Sequence, residues 1–161
     1  IVFKKLQSSL TLRFYYLTLK KNILMNKILR LILLVTPKLK PNKSDNSSIK
    51  KGINYFNKLN NLDHIQAVIV KNNAILSIED RQGTKKMLSK LKKKSEGILI
   101  KLPKKKQDLR IDLPTIGLQT LKDCKKYGLK GIVLKSKKNI FLDNSKCITF
   151  ANKNKIFIKV I

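Results

Sequence analysis

The chain has very little of the side chains that build zinc sites and disulfide frameworks. Its 161 residues include two cysteines, Cys124 and Cys147, one histidine, His64, and no tryptophan. A structural zinc site needs about four clustered cysteine or histidine ligands, and the two cysteines lie far apart with no ligand spacing. The composition therefore argues against zinc and predicts two buried, unpaired thiols, because nothing in the sequence is typical of a secreted chain.

Acidic residues, arginine and aromatic residues are also scarce, although the chain is strongly basic. There are 33 lysines but only four arginines and nine acidic residues, which gives a formal net charge of +28. Proteins that read DNA bases favour arginine, and proteins that bind single strands interleave aromatic residues. The charge therefore predicts solvated lysine faces that attract anionic headgroups and phosphorylated ligands, rather than a specific nucleic-acid site.

Long apolar runs are missing as well. The apolar clusters at residues 10–19 and 28–35 are interrupted by Arg13 and Arg30, and each is far shorter than the ~20 residues that a membrane-spanning helix needs. No segment has the apolar core and small-residue cleavage site of a signal peptide. These clusters are interpreted as the end of a preceding domain or, alternatively, as an amphipathic surface helix.

The hydrophobic pattern predicts an α/β fold: a mixed sheet with flanking helices, in a single domain over residues 63–161. A connecting helix is expected at residues 46–62, and residues 1–45 are expected to be a poorly packed remnant and linker. Because the first residue is Ile1, the simplest interpretation is that the start of the gene product is missing. Residues 65–70 and 74–79, joined by an Asn-rich turn, predict a β-hairpin. Further strands are predicted at residues 97–102, 131–135, 139–143 and 155–161.

Helix signals divide the rest of the chain. Ser47 or Ser48 is the predicted cap of a helix that starts near residue 49, which leaves the polar run 42–48 as linker. Thr84 is predicted to cap a second helix that ends near residue 94. A third helix is predicted at residues 116–127, with Gly128 at its carboxyl end, and a fourth at residues 144–154.

One acidic cluster could support chemistry. Five of the nine acidic residues lie between Glu79 and Asp112. Within it, PKKKQDLRIDLPTIG follows a predicted strand and precedes a helix, where α/β proteins place their sites. If the strand continues there, Asp108, Arg110 and Asp112 point to one side. Two carboxylates suit a divalent cation or an activated water, and an arginine suits phosphoryl oxygens. The alternative is an ion-pair ladder on an edge strand.

A second candidate is the turn before the helix that follows the hairpin. Gly83 stands just before that helix and Thr84 at its predicted cap, so free backbone N–H groups could receive an anion. The alternative is an ordinary connection between a strand and a helix.

Several motifs resemble one family over about 100 residues in order. QAVIV at residues 66–70 is followed by Glu79 and by Gly83-Thr84, then GILIK at residues 97–101, and then QDLRIDLPTIG at residues 107–117. Together they resemble the C-terminal domain of the LpxI-type UDP-2,3-diacylglucosamine pyrophosphatases of bacterial lipid A synthesis, truncated at the N-terminus.

The resemblance implies hydrolysis of UDP-2,3-diacylglucosamine to lipid X and UMP, by attack of water on the α-phosphate. It implies a divalent cation, magnesium or manganese, and a second, N-terminal Rossmann-like domain that is almost wholly absent here. The fragment alone is therefore expected to be inactive. The expected location is cytoplasmic and peripheral to the inner membrane, where anionic inner-leaflet lipids would be partners.

The predicted site residues follow from the acidic cluster and the resemblance together. Asp108 and Asp112 are the predicted catalytic and metal-binding residues. Substrate binding is assigned to Glu79, Gly83, Thr84, Lys101, Gln107 and Arg110.

Two departures from the family pattern keep other functions open. Gln82 and Lys85 stand where the family's EGTD stretch has carboxylates. They favour the alternative of a non-catalytic lipid- or phosphate-binding remnant. A basic nucleic-acid-binding protein is a further alternative, favoured by charge alone.

Overall fold

The computed structural model describes residues 37–59, 65–104 and 114–161, and the chain from Pro37 to Ile161 groups into one compact unit. The predicted α/β class with a mixed sheet and flanking helices is confirmed. In the described parts of the chain, no helix is long and apolar enough to cross a membrane. The helices are α1 (Lys43–Lys58), α2 (Gly83–Ser89), α3 (Leu118–Lys126) and α4 (Asn144–Lys153). The strands are β1 (Ala67–Lys71), β2 (Ala74–Ile78), β3 (Ile98–Lys101), β4 (Thr115–Ile116), β5 (Gly131–Leu134), β6 (Ile140–Phe141) and β7 (Phe157–Val160).

The main sheet has five strands in the order β2-β1-β3-β5-β7, and β4 pairs with β6 in a separate two-stranded ribbon. Strand β1 is antiparallel to both of its neighbours, whereas β3, β5 and β7 are parallel. The carboxyl ends of β2, β3, β5 and β7 therefore share one edge of the sheet with the amino end of β1.

The predicted hairpin is confirmed, and its turn explains the two asparagines. Asn72 and Asn73 have φ angles of 48° and 63°, the left-handed conformation that a two-residue hairpin turn requires and that asparagine tolerates. The backbone N–H of Asn73 donates to Ser48 Oγ at 2.9 Å. Helix α1 therefore holds the turn in place.

Helix α1 begins earlier than predicted. Asn42, rather than Ser47 or Ser48, is the cap: its side chain accepts from the Asp45 backbone N–H at 2.8 Å, and Asp45 accepts in return from the Asn42 N–H at 3.1 Å. This is a reciprocal capping box. The predicted linker at residues 42–48 was wrong because this first turn is polar and carries no apolar periodicity.

Two later helices are shorter than predicted. Helix α2 ends at Ser89 rather than near residue 94, and Lys94 already has a left-handed φ of 60°. Helix α3 starts at Leu118 because Thr115–Ile116 pairs with β6 as a strand. The predicted end at Gly128 is confirmed by its φ of 72°.

The sheet is buried on both faces. Ile49 and Phe56 of α1 pack with alternate residues of the central strands, among them Val68, Val70 and Ile100. The strand residues between these point to the opposite face of the sheet. Helices α3 and α4 connect the parallel strands β3, β5 and β7, and right-handed connections place both helices on that opposite face. Both cysteines are buried and unpaired, as predicted. Desolvation raises the pKa of Cys124 to about 12, which keeps this thiol protonated and unreactive.

Helix α1 approaches the sheet through a glycine. A Cβ atom at Gly52 would lie 2.4 Å from Ile100 Cδ1 and 2.5 Å from Val70 Cγ1. We expect Gly52→Ala to lower the free energy of unfolding by about 1–2 kcal/mol, because overpacking of about 1–3 kcal/mol outweighs the gain in helix propensity of roughly 1 kcal/mol. Urea unfolding measures this, with the exposed neighbour Lys51→Ala as control. A stabilised Gly52→Ala variant would show that α1 does not pack tightly on the sheet.

Candidate functional site

A buried carboxylate marks the edge of the sheet where the strand ends gather. Glu79 follows the last residue of β2, and it is 6% exposed. Its Oε2 accepts from the backbone N–H of Gln66 at 2.7 Å, and its own N–H donates to the carbonyl of Ala67 at 3.0 Å. Glu79 is the one buried charged side chain among the described residues.

A hydroxyl connects this carboxylate to a lysine. Thr84 Oγ1 donates to Glu79 Oε1 at 2.5 Å and accepts from Lys101 Nζ at 2.8 Å. The carboxylate and the ammonium are thus joined through one threonine, an arrangement called here the Glu79–Thr84–Lys101 relay. A buried polar group is costly unless it is hydrogen-bonded, and both Glu79 carboxylate oxygens accept hydrogen bonds.

Three elements bring the relay together. Because β1 is antiparallel to both neighbours, the ends of β2 and β3 meet beside its first residue, and Ala67 pairs with Lys101. The first turn of α2 then returns the chain over the end of β2 and places Thr84 beside Glu79. The relay therefore depends on contacts between residues that lie up to 22 positions apart in the sequence.

The turn before α2 differs from the predicted anion site. Thr84 lies inside α2 and does not cap it, since no side chain caps this helix at Gln82. The N–H groups of Gln82 and Gly83 donate to Asp80, at 2.9 Å to Oδ1 and 3.0 Å to its carbonyl. These two amides are therefore already used. Glycine is needed at position 83 because its φ of 82° is a backbone conformation that residues with a side chain rarely adopt.

Asp80, next to the buried Glu79, is an exposed part of the same turn. Lys90 Nζ lies 2.6 Å from Asp80 Oδ2, and this hydrogen bond, together with that from the Gln82 amide, lowers the pKa of the Asp80 carboxyl. Asp80 therefore stays ionised and stabilises the turn.

Asn139, which was not among the predicted site residues, connects three parts of the chain at this edge. Its Nδ2 donates to the carbonyls of Lys101 and Pro114, at 3.2 and 3.3 Å, and its Oδ1 accepts from the Lys135 N–H at 2.8 Å. Asn139 therefore joins the end of β3 to the residue before β4. The sequence gives no sign of this role, because the carbonyls of Lys101 and Pro114 lie 38 and 25 positions away and only the Lys135 N–H is near in the chain.

The predicted site residues fall into two groups. Glu79, Thr84 and Lys101 are brought into direct contact, and Gly83 lies beside them at the start of α2. Gln107, Asp108, Arg110 and Asp112 lie outside the described residues. Lys101 precedes these four residues in the chain and Pro114 follows them. Asn139 binds the carbonyls of both, and so it connects the two ends of the segment that carries the predicted catalytic residues.

The described residues do not form a metal site by themselves. Across residues 37–59, 65–104 and 114–161, no three histidine, cysteine or acidic side chains come together as ligands. Both carboxylate oxygens of Glu79 accept hydrogen bonds from protein groups. The predicted cation ligands, Asp108 and Asp112, lie outside these ranges.

Comparison with known proteins identifies a family. A model of the LpxI C-terminal domain matches residues 35–159. The chain is also 29% identical over 131 residues to the UDP-2,3-diacylglucosamine pyrophosphatase LpxI of Caulobacter vibrioides. That match covers 75% of this chain and 47% of the relative, so the chain spans about half the length of the curated relative it matches.

Replacing Thr84 by valine tests the relay. The change keeps the side-chain shape but removes the hydroxyl that binds Glu79 and Lys101. We expect the free energy of unfolding to fall by about 1–3 kcal/mol, because a buried carboxylate loses a donor. Thr84→Ser retains the hydroxyl and should recover most of the loss in urea unfolding. Equal destabilisation by valine and serine would contradict the relay.

Replacing Asn139 by alanine tests the connection between the loops. We expect Asn139→Ala to lower the free energy of unfolding by about 1–3 kcal/mol and to speed amide exchange at Ile140, whose N–H donates to the carbonyl of Pro114 at 3.0 Å. Asn154 is the matched control, since its side-chain amide donates to the carbonyl of Phe150 within its own helix end. If Asn154→Ala speeds amide exchange at Ile140 as much as Asn139→Ala does, the special role of Asn139 is refuted.

Proposed function

The chain belongs to the LpxI C-terminal domain family, and from this premise we propose that it is the C-terminal half of a UDP-2,3-diacylglucosamine pyrophosphatase. The proposed reaction is hydrolysis at the α-phosphate, which releases lipid X and UMP in lipid A synthesis. The proposed location is the cytoplasmic side of the inner membrane, as a peripheral protein.

The relay is the observation that carries this proposal. Lys101 presents an ammonium group at the edge where the carboxyl ends of β2 and β3 meet, held by Thr84 at 2.8 Å. Ligands of open α/β sheets bind outside the carboxyl ends of the strands. A lysine held there favours the phosphoryl oxygens of a nucleotide diphosphate, because an ammonium attracts them as a compact charge.

The segment that follows β3 supplies the remaining proposed groups. We assign Arg110 to the phosphoryl oxygens, since guanidinium binds them bidentately, and Gln107 to substrate binding beside it. Asp108 and Asp112 are assigned to metal binding and to orientation of the attacking water. The divalent cation, magnesium or manganese, would shield the phosphate charge when bound.

The departures from the family pattern leave the relay intact. Gln82 and Lys85 are both exposed, and the relay uses the neighbouring Glu79 and Thr84 instead. A non-catalytic lipid- or phosphate-binding protein is nevertheless the second candidate, because Gln82 and Lys85 replace carboxylates. Turnover distinguishes the two, since the second candidate binds the substrate without releasing UMP.

Other proposed partners follow from the same assignment. The family's N-terminal Rossmann-like domain would complete the substrate site, so the present chain alone is expected to be inactive. Anionic inner-leaflet lipids are proposed as the surface on which the protein meets its diacylated substrate. No specific nucleic-acid partner is proposed.

The catalytic assignment is tested in a full-length protein that carries both halves of the family's chain. We expect Asp108→Asn or Asp112→Asn to abolish release of UMP from UDP-2,3-diacylglucosamine, while the free energy of unfolding stays within about 1 kcal/mol of the parent. Chelation of divalent cations should likewise stop the reaction, and magnesium or manganese should restore it.

Asp123 provides the matched control for these substitutions. It lies on α3, where its carboxylate accepts from Gln119 Nε2 at 3.0 Å, and Asp123→Asn should leave UMP release unchanged. Near-normal turnover in both Asp108→Asn and Asp112→Asn would place the chemistry elsewhere. A parent protein that binds the lipid but releases no UMP would support the non-catalytic candidate.

A further inference from the structure

An exposed apolar surface lies beside the relay, on the β4–β6 ribbon and the helices that follow it. Ile140, on strand β6, is 40% exposed, and Leu142, in the turn directly after that strand, is 53% exposed. Leu142 lies over Gly117, where an added Cβ would be 3.7 Å from the Leu142 Cβ. Leu118, which follows Gly117 in the chain, lines an open groove.

That groove runs between α3 and α4 and is almost wholly apolar. It has a volume of about 430 Å³, and Phe150 and the side chains of Leu118 and Thr149 line it. Two lysines, Lys146 and Lys153, also line it. We call Leu118, Ile140, Leu142 and Phe150, with these two lysines, the ribbon patch.

The patch combines exposed apolar groups with positive charge. Lys146 is 72% exposed, and its nearest carboxylate, Asp143, is 3.8 Å away and itself 63% exposed, so the ion pair is weak. Cores of protein–protein interfaces are depleted in lysine. Surfaces that lie on membranes instead place apolar side chains among lysines, because the lysines reach anionic headgroups while the apolar groups enter the boundary of the acyl region.

The patch is also continuous with the candidate site. Asn139 immediately precedes Ile140, and its amide donates to the carbonyl of Lys101 at 3.2 Å. A surface that receives Ile140 and Leu142 would therefore lie next to the strand end that carries Lys101.

We propose that the ribbon patch docks the protein onto the surface of an anionic lipid bilayer, with Ile140 and Leu142 entering the interface to a shallow depth. The inference goes beyond the proposed reaction and does not require it, since it rests on the exposure, charge and position of these residues. It assigns the lipid contact to one face of the domain rather than to its net charge of +28.

The absence of tryptophan from the chain permits a direct test. Leu142→Trp gives a protein with a single tryptophan in the patch. Leu76→Trp is the matched control, because Leu76 is 45% exposed on strand β2 and is surrounded by lysines, with Lys71, Lys90, Lys92, Lys93 and Lys94 lining the same cleft. Both variants are mixed with vesicles of phosphatidylglycerol and phosphatidylcholine in equal parts, and with vesicles of phosphatidylcholine alone.

We expect the emission of Leu142→Trp to shift to shorter wavelength on the anionic vesicles and to be quenched by brominated acyl chains. Leu76→Trp should show neither effect, although it carries the same net charge, because lysines dominate the cleft around Leu76 whereas the lining of the groove in the ribbon patch is almost wholly apolar. In cosedimentation, Leu142→Ser should lower the partition coefficient on anionic vesicles roughly threefold to tenfold, as expected for partial burial of one leucine. Leu76→Ser should leave it within about twofold.

Several outcomes overturn the proposal. They are absence of vesicle binding, equal shifts at both tryptophans, and an unchanged partition coefficient in Leu142→Ser. A Leu142→Trp shift that needs no lipid and grows with protein concentration would identify the patch as a contact between copies of the chain. Loss of UMP release in the full-length protein does not bear on this test, so failure of the proposed reaction and failure of the docking surface remain distinguishable.

Discussion

The reversed direction of strand β1 is the constraint on which the site depends. Because β1 is antiparallel to both β2 and β3, the two neighbouring strands end at the same edge. Glu79 and Lys101 are thereby brought within reach of one threonine side chain. A parallel β1 would have required a long crossover in place of the two-residue turn at Asn72 and Asn73, and the two ends would not have met in this way.

The cost of burying a carboxylate explains why this edge is so extensively hydrogen-bonded. Glu79 is 6% exposed, and leaving one of its carboxylate oxygens without a donor would cost about 1–3 kcal/mol. The Gln66 backbone N–H and the Thr84 hydroxyl satisfy its oxygens. The same contacts order Lys101, so the stability of the edge and the placement of its positive charge have one physical origin.

The large positive charge has different consequences at different places on the domain. Lysines on exposed faces are solvated and give attraction without specificity. At the end of β3, Lys101 is held in one position by Thr84, and at the ribbon patch Lys146 and Lys153 flank exposed apolar groups. Position within the fold, rather than the net charge, therefore separates a proposed phosphate contact from a proposed lipid contact. The Asn139 side chain links these two regions through its bond to the Lys101 carbonyl.

Much of the fold was predictable because it is encoded in local patterns. Apolar alternation and the Asn-rich turn predicted the hairpin, and Gly128 predicted the end of α3. The capping box of Asn42 and Asp45 is also a local signal, but apolar periodicity does not reveal it because the first turn of α1 is polar. The prediction of buried thiols was correct because cysteine is among the residues most often buried.

The sequence by itself determined the α/β class, the hairpin and the family, since periodicity, turn residues and a long motif all lie within short stretches of chain. Only the tertiary structure decided that Thr84 bonds Glu79 instead of capping α2, that Thr115–Ile116 forms a strand with β6, and that Asn139 joins Lys101 to Pro114. The physical reason is that each of these contacts requires a partner from another strand or loop. Local propensity fixes a residue's preferred backbone conformation, but the partner of a buried polar group is set by which strand ends the sheet brings to the same edge.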